Sequence, residues 1–258
     1  MDVTLLGTGD ATGVPAALCD CEYCVGSAPR LRPAVLVEHD DTTVVLDVGP
    51  DLCDQLQRTD TYSVDAFFLT HFHRDHADGL LELLQTLRTG TEAAWNEDRD
   101  GHAFDLYMTE TATEHLRDSF AYFLDTLDPQ WDPDGTTVGG LAVDSFPVEH
   151  MRPEYETVGF LVRNGDSVLA YAPDMATFVG EPPTTDVDLF VCEGSPVVGG
   201  SHGTVEELRA AVDAVDADRT VLVNATEHGR REHTEELAAR AREFGCELGA
   251  DFDEYTLS

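Results

Sequence analysis

The sequence predicts an α/β fold in which sheets are sandwiched between helices, and three observations lead there. The chain is 258 residues long and 42% hydrophobic, enough to bury a full core within a single domain over 1–258. Short runs rich in Val, Leu and Phe, bounded by Gly, Asp, Asn or Pro, recur along it. Segments with helical apolar periodicity follow or alternate with those runs in both halves, which argues for helices layered on sheets.

Taken in order, strands are expected at residues 3–6, 34–38, 43–46, 66–69, 104–107, 141–148, 159–162, 167–171, 187–191 and 220–223. Two pairs read as hairpins, one turning at His39-Asp40-Asp41-Thr42 and the other at Asn164-Gly165-Asp166. Helices are expected at 79–88, 111–124, 205–215 and 232–244. Thr204 and Thr234 stand as N-terminal caps for the last two, each followed by acidic residues in the first turn. Two polar segments without a period, 90–101 and 128–140, read as surface loops, one of which could cover a site; the second holds Trp131 between Pro129 and Pro133.

Charge is the unusual feature. The chain carries 51 Asp and Glu against 15 basic residues, all Arg, for a net charge of −36. The acids are spread through the chain, Asp10 to Glu254 included, without a long single-sign block, so they read as adaptation to a salty solvent rather than as a binding tail. Nucleic acid is disfavoured as a partner, because the electrostatic term that drives its binding would be repulsive. The start of the sequence, Met1-Asp2-Val3-Thr4, has no basic segment and no long apolar stretch follows, so no signal peptide, no membrane span and a cytoplasmic location are expected. Cys53, Cys192 and Cys246 are expected as buried apolar residues, whereas Cys19, Cys21 and Cys24 are spaced like metal ligands.

The most informative stretch is Thr70-His71-Phe72-His73-Arg74-Asp75-His76, which follows an apolar strand. His71 and His73, two apart in extended chain, point to the same side, and Asp75 and His76 come where the chain turns toward a helix. Imidazole and carboxylate are the usual ligands of catalytic zinc, and this spacing lets one loop serve two neighbouring metal sites.

This run resembles the signature of the metallo-β-lactamase superfamily, whose αββα four-layer sandwich holds a dinuclear site at its sheet edges. Leu46-Asp47-Val48-Gly49-Pro50 resembles the strand that ends in an Asp behind the histidines; Val148-Glu149-His150 resembles the motif whose His completes the first metal. Ala170-Tyr171-Ala172-Pro173-Asp174 resembles the strand ending in a carboxylate that bridges both metals. The resemblance implies a first metal on His71, His73 and His150 and a second on Asp75 and His76, with Asp174 shared.

The opening, Gly7-Thr8-Gly9, Gly13-Val14-Pro15 and Cys19-x-Cys21-x-x-Cys24, resembles the PhnP-like phosphodiesterases, in which the cysteines and a late His hold a structural zinc. Here the late His aligns best with His228, with His233 as the alternative. That subgroup has Thr-His-x-x-His after a strand, where this chain has Val223-Asn224-Ala225-Thr226-Glu227-His228, so the His that would close the second metal site is replaced by Asn224 or Ala225. A His similar to His202 lies near the subgroup's catalytic centre, which makes Asp75 and His202 the candidate catalytic residues; His202 could protonate a leaving oxygen or bind phosphate. Arg30, Arg32, Arg74 and Arg152 are candidate phosphate contacts.

The resemblance implies two catalytic divalent metals, zinc or manganese, and one structural zinc. It also implies hydrolysis of a small, cyclic phosphodiester by a metal-bound hydroxide lying opposite Asp174. The expected partner is a small anionic substrate, with a homodimer left open and no membrane. Rival chemistries are lactone, thioester or β-lactam hydrolysis, RNA 3′-end processing and an accessory role in quinone-cofactor biosynthesis. Outside hydrolysis stand a metal-binding scaffold and an oxygen-dependent enzyme.

Overall fold

The computed structural model describes residues 1–89, 104–132, 135–150, 155–183, 186–198 and 202–258. The first half holds β1 (Asp2–Gly7), α1 (Glu22–Gly26), β2 (Ala34–His39), β3 (Thr42–Leu46), α2 (Leu52–Arg58), β4 (Ala66–Phe68), α3 (Arg74–Ala77), α4 (Leu80–Thr89), β5 (Asp105–Tyr107) and α5 (Glu110–Leu127). The second half holds β6 (Thr136–Val138), β7 (Leu141–Glu149), β8 (Thr157–Asn164), β9 (Ser167–Ala172), β10 (Thr177–Phe178), β11 (Leu189–Glu193) and α6 (Ser195–Val198). It closes with α7 (Val205–Val215), β12 (Arg219–Val223), α8 (Glu227–Arg230), α9 (Thr234–Glu243), β13 (Glu247–Leu248) and β14 (Glu254–Thr256).

The strands form two sheets, one in the order β14-β1-β2-β3-β4-β5 and the other β10-β7-β8-β9-β11-β12-β13, with β6 added beside β7. Alternation along each strand decides which face meets which layer. Val35, Val37, Val44, Leu46, Ala66 and Phe68 point between the sheets and meet Val143, Phe160, Val162, Leu169 and Val191 from the other side. Their neighbours Leu36, Val45 and Phe67 point outward onto Leu52, Leu80, Leu84, Ala112 and Leu116 of α2, α4 and α5. On the far side Leu161, Ala170, Phe190 and Leu222 meet Val197, Leu208, Ala211, Val215 and Ala241 of α6, α7 and α9. Helix, sheet, sheet, helix is the αββα order that the resemblance implies.

The two hairpins turn where expected, with Asp40 at φ 51° and Gly165 at φ 57° in the left-handed region. Thr204 caps α7 with a reciprocal bond pair to Glu207, whereas α9 is capped by His233 and not by Thr234. The Thr234 hydroxyl is taken by the buried Glu227 at 2.7 Å instead. Of the isolated cysteines, Cys192 and Cys246 are buried but Cys53 is exposed, because it lies on the side of α2 away from the sheet.

The loop expected at 90–101 lies outside the described residues, as do residues 133–134 of the second. The described part of 128–140 is no cover for a site. Gln130 bonds the backbone beside β5, Trp131 packs against the core between the sheets, and Thr136–Val138 adds a strand to β7. The Trp131 indole lies beside Phe68, Tyr107 and Phe160, half-buried against the core between the sheets. None of the described helices is long and apolar enough to cross a membrane.

Candidate metal centre

Strand direction gathers the polar residues. β3 and β4 are parallel, β9, β11 and β12 are parallel, and β7 runs with them because antiparallel β8 separates it from β9. Their C-terminal ends meet at one edge of the sandwich, where ligands of open α/β sheets collect. Each ends in a polar residue: Asp47 after β3, the 71–76 loop after β4, His150 after β7, Asp174 after β9, Glu193 on β11 and Asn224 after β12. Asp47 and Asn224 leave their strands at φ 65° and 58°, a left-handed turn that Asp and Asn adopt more readily than most residues.

Asp47 organises the loop. Its fully buried carboxylate accepts from the Thr70 N–H at 2.9 Å, the Thr70 hydroxyl at 2.9 Å, His76 Nδ1 at 2.8 Å and the Tyr171 hydroxyl at 3.0 Å. Thr70 Oγ1 in turn stands 3.0 Å from His71 Nδ1, so His71 and His76 both keep Nε2 free to face inward. Behind them a Cβ on Gly49 would sit 2.2 Å from the Asp75 carbonyl oxygen, so only glycine lets the two loops touch there.

The inward atoms form two donor sets that share one carboxylate: His71, His73, His150 and Asp174 in the first, Asp75, His76 and Asp174 in the second. A tetrahedral ion with metal–nitrogen bonds of about 2.0–2.1 Å requires ligand atoms roughly 3.3 Å apart. His150 Nε2 lies 3.2 Å from His73 Nδ1 and 3.4 Å from Asp174 Oδ2; His76 Nε2 lies 3.3 Å from both Asp75 Oδ2 and Asp174 Oδ1. His71 Nε2 is 3.7 Å from Asp174 Oδ2. Both His71 Nε2 and His76 Nε2 are buried and lack any hydrogen-bond partner, an arrangement that costs free energy unless a cation occupies the gap. Among the described residues, the ion-pair partners of Asp47, Asp75, Asp174 and Glu193 are all histidines. The side chains fit two divalent metals.

Protonation agrees with that fit. Burial holds His71 well below the ordinary imidazole range and His150 down to about 4, leaving both neutral and able to ligate. Burial also opposes charge on His76, but Asp174 and Asp47 together hold it well above its usual value, a proton that a cation would replace.

Beside Asp174 lies a second group. His202 Nδ1 is 2.5 Å from Glu193 Oε2 and 3.8 Å from Asp174 Oδ2. Burial would lower His202, yet its bond to Glu193 and the charge of Asp174 outweigh it and raise the imidazole to about 9. Burial pushes Glu193 up to about 7, against the pull of the adjoining imidazole. Asn224, not Ala225, faces this centre: its Nδ2 donates to Asp174 Oδ1 at 2.7 Å. A cavity of about 410 Å³ opens beside His73, lined by Phe72, Arg74, Asp78, Leu81, His115 and Leu116.

The cysteines form a separate cluster. His228 Nδ1 stands 3.4 Å from Cys19 Sγ, 3.6 Å from Cys21 Sγ and 3.4 Å from Cys24 Sγ. A tetrahedral zinc with bonds of about 2.3 Å to sulfur and 2.0–2.1 Å to nitrogen requires an S···N edge near 3.6 Å. The bond to His228 lowers the Cys21 thiol to about 6. His233 instead sets its ring 5.0 Å from that of Tyr23, tilted by 41°. The buried Arg30 ties this region together, donating to Glu227, Thr8 and the Gly249 carbonyl, and Arg32 pairs with Asp51. Both are committed to the scaffold and do not serve as free phosphate contacts. Arg74 is exposed and pairs with Asp78; Arg152 lies outside the described residues.

Thr70, Tyr171 and Glu193 were not singled out from the sequence. Glu193 carries the same signal as Asp47 and Asp174, an acidic residue closing a buried apolar strand, whereas Thr70 and Tyr171 read as ordinary strand residues.

Residues 42–223 match the beta-lactamase superfamily domain. The chain is 31% identical over 126 residues to an octanoyltransferase of Porphyromonas gingivalis, a match covering 47% of this chain and 23% of that protein. It is 25% identical over 150 residues to a ribonuclease Z of Thermococcus onnurineus, covering 56% and 45%. The matches thus span less than half the length of these curated relatives. In structure the chain is similar to a diphosphatase of the PhnP family, with a TM-score of 0.76, 23% identity and coverage of 100% and 98%. It is also similar to zinc-bound PqqB from Methylobacterium extorquens, with a TM-score of 0.77, 20% identity and full coverage of both chains. At these identities the likeness is one of fold. With the family domain matched over most of its length, the chain belongs to the metallo-β-lactamase superfamily.

Proposed function

We propose that the protein is a dinuclear metal-dependent phosphodiesterase acting on a small, cyclic phosphodiester, with zinc or manganese as its catalytic metals. The observation that carries this reading is His202, held by Glu193 at 2.5 Å and standing 3.8 Å from Asp174, the carboxylate common to both donor sets. The contact with Glu193 favours the protonated imidazole, which can protonate an alkoxide leaving group, a step that ester cleavage needs when the leaving group is poor. His71, His73, His150 and Asp174 would hold one metal, and Asp75 and His76 with Asp174 the other. When bound, the metals supply an acidified water and positive charge facing the phosphoryl oxygens. Asp47 keeps His71 and His76 in the ligating tautomer, and Glu193 keeps His202 oriented. Cys19, Cys21, Cys24 and His228 would hold a structural zinc.

A diphosphatase and a ribonuclease among the relatives both support phosphate-ester chemistry. The ribonuclease Z matches favour RNA as a second reading, but a net charge of −36 repels a polyanion far more strongly than a small anion. Metal-loaded protein would be offered bis(p-nitrophenyl) phosphate, nucleoside 2′,3′-cyclic phosphates, ribose cyclic phosphates, a lactone, a chromogenic β-lactam and unprocessed tRNA. Turnover of the small phosphodiesters is expected, abolished by His71→Ala with the circular dichroism unchanged. His202→Ala should slow the alkyl esters far more than the p-nitrophenyl ester, whose leaving group needs no proton. Turnover confined to the lactone, the lactam or tRNA would overturn the reading.

A further inference from the structure

We infer that the two catalytic positions differ in kind: the first holds zinc tightly, the second is an exchangeable site for a hard, oxygen-preferring cation such as Mn²⁺, and Asn224 sets the difference. The inference rests on the dinuclear reading above and deepens it by assigning a different cation chemistry to each position.

Asn224 leaves β12 in a left-handed turn and is buried at the centre of the site. Its side-chain nitrogen is surrounded by acceptors: Asp174 Oδ1 at 2.7 Å, Glu193 Oε2 at 3.4 Å and the Pro173 carbonyl at 3.4 Å. Turning the amide over would set its oxygen against those three oxygens, so the network fixes the nitrogen toward the centre. An amide nitrogen delocalises its lone pair into the carbonyl and donates only, so Asn224 supplies no ligand. Ala225, the next residue, has no donor atom. The remaining candidate set, Asp174 with Glu193 and His202, offers no substitute, because His202 Nδ1 is already bonded to Glu193 at 2.5 Å.

The donor sets are therefore unequal. The first has three imidazole nitrogens and one carboxylate oxygen, a full tetrahedral set for zinc. Among the described residues, the second has one imidazole nitrogen and two carboxylate oxygens. Moreover, the Asp174 oxygen on that side, Oδ1, is the one that faces His76 and also accepts the Asn224 N–H, which draws off part of its donor strength. Oxygen-rich sites suit Mn²⁺ and Mg²⁺, and a set one ligand short of four exchanges its ion more readily.

Zinc-loaded protein would be dialysed against a mild chelator and its metals counted by native mass spectrometry, then titrated with Mn²⁺ and followed by electron paramagnetic resonance. Two zinc ions per chain are expected to remain, one on the cysteines and one on the three histidines, with one further Mn²⁺ taken up. Asn224→His should retain a third zinc and weaken Mn²⁺ uptake about tenfold or more, the scale of effect of residues around a metal. Asp75→Asn should keep both zincs and take up no Mn²⁺, and it decides the matter if Asn224→His does not fold. Three zincs retained by the unaltered protein, or a count still at two in folded Asn224→His, would overturn the inference. Retention of the cysteine zinc alone, with no Mn²⁺ bound and no phosphodiester cleaved, would instead remove the dinuclear reading and this inference with it.

Discussion

Replacing Asp47 by Asn tests whether a residue that touches no substrate controls the metal. The change keeps volume but halves the accepting capacity of a fully buried group that serves Thr70, His76 and Tyr171. If the amide oxygen stays with the Thr70 N–H at 2.9 Å, the amide nitrogen faces His76 Nδ1 and the Tyr171 hydroxyl, which are themselves donors. His76 can then regain a bond only by moving its proton to Nε2, the atom that points at Asp75 and Asp174. It ceases to be a ligand. Loss of such an orienting partner lowers metal affinity about 10- to 100-fold, or roughly 1.4–2.7 kcal/mol at 1.36 kcal/mol per tenfold. His71 reaches Asp47 only through the Thr70 hydroxyl, 3.0 Å away, so the first position should weaken less than the second. Competition against a colorimetric chelator, run separately for Zn²⁺ and Mn²⁺, reads both affinities. A folded Asp47→Asn protein with unchanged affinity at the second position, or with equal losses at both, would refute the reasoning.

Two further outcomes concern the rest of the molecule. Cys21→Ser and His228→Ala should each lose one tightly held zinc by native mass spectrometry and lower the melting temperature. His233→Ala should lose none, since its ring packs against Tyr23 and the cysteine set is completed by His228. Because the net charge is −36, the melting temperature should rise as salt shortens the screening length from about 10 Å at 0.1 M to about 3 Å at 1 M; a flat response would mean that the acids are balanced locally.

How much could be read in advance followed from how local each signal is. Val35, Leu36 and Val37 alternate between two cores, and that alternation is visible along the chain. The 71–76 loop was legible because its donors lie within six residues. β13 and β14 were not, since two or three residues carry no pattern and each exists only by pairing with a strand already in place. The short α2 offered too few turns for its periodicity to register. Glu193 reaches Asp174 because β9 and β11 are neighbours, a fact of sheet order. Spacing also left Asn224 and Ala225 equivalent; the left-handed turn at Asn224 settles which of them points inward.

The pairing of β1 with β14 bears on how the molecule is made. β1 finds β2 within the first forty or so residues, but its other edge is covered only by Glu254–Thr256, and Thr8 and Leu31 wait for the same late segment to supply Asp251. At a synthesis rate of about 5–20 residues per second, the chain from His39 to Glu254 takes roughly 10 to 40 seconds to appear. For that interval a buried-type strand, Val3-Thr4-Leu5-Leu6, has a bare backbone edge, the situation in which nascent chains pair with one another. Until Glu254–Thr256 arrives, only the acids already synthesised on the nascent chain oppose such pairing, and salt that screens them would lengthen the vulnerable interval in effect if not in time.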